Sequence, residues 1–80
     1  MNNYITLNKK NNTKKILRTI KQLGLKKCLK NSRTTIWEND DLQISIDKSI
    51  IRILIYSKDD ISYYHSIFTE EDYNEQNLQK

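Results

Sequence analysis

"LQISIDKSIIRILIYS", residues 42–57, decides the fold. Its first six residues alternate, sending Leu42, Ile44 and Ile46 to one side and Gln43, Ser45 and Asp47 to the other, as a half-buried strand does. Residues 49–57 are instead apolar on both sides, with Ile51, Ile53 and Ile55 on one and Ile50, Leu54 and Tyr56 on the other. Such a strand belongs at the centre of a sheet. "TTIWE" (34–38) and "ISYYHSIF" (61–68) flank this pair and are rich in β-branched and aromatic residues, and "NDD", "DKS" and "KDD" are short turn-like connections between the runs. The pattern predicts a four-stranded antiparallel meander.

Upstream of Thr34 the period changes from 2 to about 3.6. Ile16, Ile20 and Leu23, with Leu17 beside them, form an apolar stripe, while Lys14, Arg18, Lys21 and Gln22 fall on the opposite side of the same wheel. The spacing predicts an amphipathic helix over 13–23. The chain has no proline and a single glycine, Gly24, placed where a left-handed helix cap is needed, with Leu25 available for the accompanying apolar contact. At the other end Thr69 precedes Glu70, Glu71 and Asp72, and Phe68 and Tyr73 stand at staple positions, which predicts a short C-terminal helix. "YITL" (4–7) offers an additional edge strand.

The order of elements gives an α+β fold of one domain, 1–80, in which an N-terminal amphipathic helix packs on a four-stranded antiparallel meander and a short C-terminal helix follows. Residues 1–12 and 75–80 are read as loose ends. Ile16, Leu17, Ile20 and Leu23 are expected against the inner sheet face. Ile50, Leu54 and Tyr56 then require a cover of their own, either the C-terminal helix or a second copy, and a homodimer is expected.

Charge is strongly segregated. Residues 1–37 hold ten bases and no acid, whereas 38–80 hold four bases and ten acids, so a formal net charge of +4 conceals halves of +10 and −6. A helix that begins at Thr13 places Lys14 and Lys15 at the positive end of its dipole, unfavourable by roughly 0.3–1 kcal/mol per charge. Stability alone does not select that arrangement; an anionic partner would, the alternative being two solvated faces in which the acidic half neutralises the basic one across the fold. The candidate binding residues are Lys14, Lys15, Arg18, Lys21, Lys26 and Lys27, and Tyr63 and Tyr64 are candidates for stacking on single-stranded bases.

Several chemistries are excluded or disfavoured. One glycine cannot build a phosphate-cradling loop, and Cys28 and His65 supply too few soft ligands for a zinc cage. No cofactor or metal is expected. Paired acids such as Asp40–Asp41 and Asp59–Asp60 read as turn and cap chemistry. No stretch of about 18 apolar residues is present, and the N-terminus lacks the apolar run of a secretory signal, so the expectation is a cytoplasmic protein with no membrane partner.

The leading expectation is a small non-enzymatic binding protein, an inhibitor or regulator of a larger nucleic-acid-handling protein complex of phage or mobile-element type. Direct nucleic-acid binding through the same lysines is the alternative. The third reading is a minimal ribonuclease-like enzyme using His65 with a tyrosine and a carboxylate.

Overall fold

The structure, a computed structural model, describes residues 2–68. Its elements are β1 (Tyr4–Asn8), α1 (Lys9–Leu23), β2 (Lys26–Lys30), β3 (Thr35–Glu38), β4 (Leu42–Ile46), β5 (Ile50–Ile55), a 3₁₀ turn (Lys58–Asp60) and α2 (Ile61–Phe68). The strands form one five-stranded sheet in the order β1-β5-β4-β3-β2, with every neighbouring pair antiparallel. The α+β class and the helix-on-sheet packing follow the sequence reading, with five strands in place of four. β5 is internal, as its two apolar faces require, but the central position belongs to β4.

Four antiparallel steps make β1 and β2 run in the same direction at opposite edges, so their connection must cross the whole sheet. Five strands span about 19 Å and a five-residue strand rises about 17 Å, giving a diagonal of roughly 25 Å. The 15 residues of α1 cover about 22 Å of it. Gly24 and Leu25 complete the crossing.

The register sorts the side chains into rows. On the helix side, Ile5, Ile53, Ile44, Trp37 and Lys27 are successive cross-strand neighbours, and Leu7, Ile51, Ile46, Thr35 and Lys30 form the next row. On the other side the rows read Tyr4, Leu54, Gln43, Glu38, Lys26 and then Thr6, Arg52, Ser45, Ile36, Leu29. The core lies wholly on the helix side, where Ile16 and Ile20 of α1 and Tyr64 and Phe68 of α2 close over the isoleucines of β4 and β5. Phe68, Ile16, Leu42, Ile44, Ile51, Ile53 and Ile55 are fully buried, each worth about 1.5–3 kcal/mol of apolar transfer.

The helix begins earlier than periodicity indicated. Asn8 caps it, its side chain accepting from the Lys10 amide at 2.7 Å, and the polar residues that follow bond back to the preceding turn: Asn12 Nδ2 donates to Asn8 O at 2.8 Å and Thr13 Oγ1 donates to Lys9 O. No apolar residue marks 9–15, so the stripe became visible only at Ile16. Residues 4–12, read as a loose end, therefore form β1 and the first turn of α1. The C-terminal end matches the expectation: Gly24 has φ 71°, its amide donates to Lys21 O, Leu25 N donates to Ile20 O at 3.1 Å, and Leu25 is buried. This is a Schellman closure.

Three expectations are corrected. "ISYYHSIF" is helix and not a fourth strand: Ile61, Tyr64 and Phe68 recur at i, i+3, i+7 and face the core. Lys26–Lys30 is an edge strand that the sequence reading missed, because all five of its residues are exposed and carry no alternation of polarity. Leu17 was assigned to the core but is 44% exposed. The helix predicted from Thr69, and the loose end at 75–80, lie outside the described residues.

Candidate functional site

Two surfaces result from this architecture, one on each side of the sheet. On the helix side, α1 turns Ile16, Thr19 and Ile20 inward, so the opposite flank, at 100° per residue, presents Lys10, Lys14, Arg18 and Lys21 within a narrow sector. All four are exposed. Among the described residues, the side chains of Lys14, Arg18 and Lys21 are not engaged by a hydrogen bond or an ion pair. The described residues hold thirteen of the fourteen bases and six of the ten acids, because Lys80, Glu70, Glu71, Asp72 and Glu75 lie beyond them. The folded body is thus more basic than the chain as a whole.

The predicted binding residues separate. Lys14, Arg18 and Lys21 share the ridge of α1, and Lys15 sits at its half-buried margin. Lys27 lies on the helix side of β2, opposite Trp37, and Lys30, which was not singled out from the sequence, joins it there opposite Thr35. Lys26 points to the other side, opposite Glu38. With α1 starting at Lys9, the charges at the positive dipole end are Lys9 and Lys10, while Lys14 and Lys15 stand a turn further on. Asn8 and Ser49 O already take the amides of Lys10 and Lys9, at 2.7 and 3.2 Å, so the helix entrance is internally closed.

Leu17 borders that ridge: at the same spacing it lies on the flank of Lys14 and Lys21 that faces the buried Ile20, an exposed apolar side chain at the margin of a cationic surface.

The stacking candidates do not form a platform. Tyr64 is 5% exposed, sits 6.2 Å from Phe68 in a stacked pair and donates its hydroxyl to Asp41 Oδ2 at 3.4 Å. Burial, then the charge of Asp41, pushes its phenol pKa up. Tyr63 is exposed but belongs to α2, meeting Tyr64 edge-on at 5.0 Å. His65 is likewise on α2 and not on a strand face with Ile61, Tyr63 and Ile67; its Nε2 lies 2.7 Å from the Asn2 carbonyl, which fixes the imidazole to the N-terminal segment.

The second surface is the side of the sheet away from both helices. Tyr4, Leu29, Leu54 and Tyr56 are exposed on it, and Ile36 and Ile50 are half-buried. Its polar group is a short network: the Tyr56 hydroxyl donates to Glu38 Oε2, Gln43 Nε2 donates to that hydroxyl at 3.3 Å, and the Cys28 thiol lies 3.7 Å from Glu38 Oε1. Desolvation, then the Glu38 carboxylate, pushes the Cys28 thiol pKa up and the Tyr56 phenol to about 12. A raised thiol pKa is the reverse of what nucleophilic catalysis needs. Among the described residues, no group of three or more metal-ligating side chains is brought together, and no helix is long and apolar enough to cross a membrane.

The chain matches no family model, and no curated protein and no solved structure matches it. The functional reading therefore rests on these two surfaces.

Proposed function

We propose that this chain is a non-enzymatic docking protein that lays α1 into an acid-lined groove of a larger protein and regulates or inhibits it. Leu17 carries the reading. An exposed leucine gains nothing from a phosphate backbone, but an apolar anchor bordered by charges is how an amphipathic helix is held in a protein groove. Lys10, Lys14, Arg18 and Lys21 supply long-range attraction and orientation, and Leu17 supplies the desolvated contact. Enzymes that cut or copy nucleic acid gather carboxylates around paired metal ions, so a nucleic-acid-handling complex is a host with the complementary surface.

The test is affinity capture by the full chain from nuclease-treated extract, followed by binding measurements on the captured protein. Lys14→Glu, Arg18→Glu and Lys21→Glu together should abolish binding with the circular dichroism spectrum retained, and Leu17→Ala should weaken it at least about tenfold. Direct nucleic-acid binding predicts the opposite for Leu17: an unchanged affinity for oligonucleotides that falls steeply with salt. Loss of capture on nuclease treatment, with Leu17→Ala neutral, would overturn the docking reading.

A further inference from the structure

The side of the sheet away from the helices is not served by the α1 ridge, and α2 packs on the other side; the helix from Thr69 that sequence reading offered as a cover lies outside the described residues. Its side chains are ordered about the central strand. β4 contributes only Gln43 and Ser45 to this side. To one side of it, β5 carries Arg52 and Leu54 and β1 carries Tyr4; to the other, β3 carries Ile36 and Glu38 and β2 carries Lys26 and Leu29. Arg52 and Glu38 thus flank β4 on opposite sides, and so do two sets of apolar side chains.

We propose that this face is the interface of a homodimer, two copies packing sheet on sheet about a twofold axis that lies along β4. Such an axis carries β5 of one copy onto β3 of its partner and β1 onto β2. Arg52 then stands above Ile36 of the other copy, one row from its Glu38, a separation of about 7 Å that a guanidinium can span. Lys26 stands above the ring of Tyr4, in position for a cation–π contact. Ile36 meets the shallow depression bounded by Tyr4, Gln43, Ser45, Arg52 and Leu54. Glu38 enters with the Tyr56 hydroxyl already donated to it, so closure does not strand its charge.

Charge favours a second copy over other occupants. The face measures about 19 by 17 Å in the plane, which sets a sheet-on-sheet contact at the small end of specific interfaces and makes the dimer a reversible one. Its charged residues are Arg52, Lys26 and Glu38, close to neutrality, which suits self-association and gives a polyanion little hold, in contrast to the α1 ridge.

Sedimentation equilibrium of the full chain tests this. The wild type should be a reversible dimer of 9.6 kDa subunits. Arg52→Glu and Glu38→Arg should each weaken dimerisation at least about tenfold, and combining them should restore it, because the twofold pairs each reversed charge with the other. Ser45→Cys in a Cys28→Ser background puts two thiols beside the axis on sheets about 10 Å apart, too far for a disulfide, so a short bis-maleimide should link them into a covalent dimer whatever the charge variants do to stability. A monomer up to millimolar concentration, a dimer indifferent to both reversals, failure of the double variant to recover, or an oligonucleotide displacing the second copy from this face would each overturn the proposal.

Discussion

The hydroxyl of Tyr56, just past the end of β5, donates a hydrogen bond to Glu38 on β3, spanning β4 between them. Desolvation is the larger cause of the raised phenol pKa and the carboxylate the next, because ionising Tyr56 would place two negative charges in contact. Tyr56 should therefore ionise at about pH 12 in an ultraviolet absorbance titration. A phenol whose pKa is higher folded than unfolded stabilises the fold below pH of about 10 and loses that contribution between about 10 and 12. Glu38→Gln should lower the late titration toward the ordinary value without abolishing it, since desolvation remains. A Tyr56 that titrates normally would show that the pairing does not persist in solution.

Cys28 shares that carboxylate. Though exposed, its thiol is held protonated at neutral pH, so alkylation should be slower than that of an unstructured cysteine. Removing the negative charge by Glu38→Gln should accelerate it; an unaffected rate would dissociate Cys28 from Glu38.

Gly24 closes α1 in the left-handed region at φ 71°, and a Cβ there would meet nothing within 4 Å. Gly24→Ala should consequently cost only backbone strain, about 1 kcal/mol, or roughly 4–8 °C in melting temperature for a domain of this size. A loss several times larger would mean that the turn into β2 is rearranged.

α2 holds the far end of the core through Phe68, which is fully buried. Phe68→Ala should cost about 3–5 kcal/mol in chemical denaturation, whereas Tyr63→Ala, at 59% exposure, should stay within about 0.5 kcal/mol. Were 61–68 a strand with alternate residues inward, Tyr63 would be the costly position.

That contrast shows where the sequence was legible. β4 and the Gly24 closure could be read because a period of 2 and a lone glycine each have one physical explanation at those positions. "ISYYHSIF" misled because its composition favours strands while its burial follows Ile61, Tyr64 and Phe68 at helical spacing. The overlooked cue lay just upstream: the Ser57 side chain accepts from the Asp59 amide and Asp59 and Asp60 fill the first turn, the usual chemistry of a helix entrance. β2 left no periodic hydrophobic trace, since Leu29 stands alone among lysines and an edge strand whose five side chains are all exposed is defined by its ladder to β3. Its lysines also discourage further strands from adding there. For the candidate surfaces, the cationic ridge was visible as a helical wheel, but the division of Lys26 from Lys27 depends on register, and the exposure of Leu17 depends on how α1 rolls over the sheet.

The crossing of α1 over the sheet has a consequence for synthesis. Among the described strands β1 is translated first, yet its ladder partner is β5, so Tyr4 waits for Leu54. A nascent chain stopped after β4 lacks both that partner and half of the isoleucine floor on which the helix rests. Completion of this small sheet is therefore a late event, delayed until β1 can close onto β5, the last of the described strands to be translated.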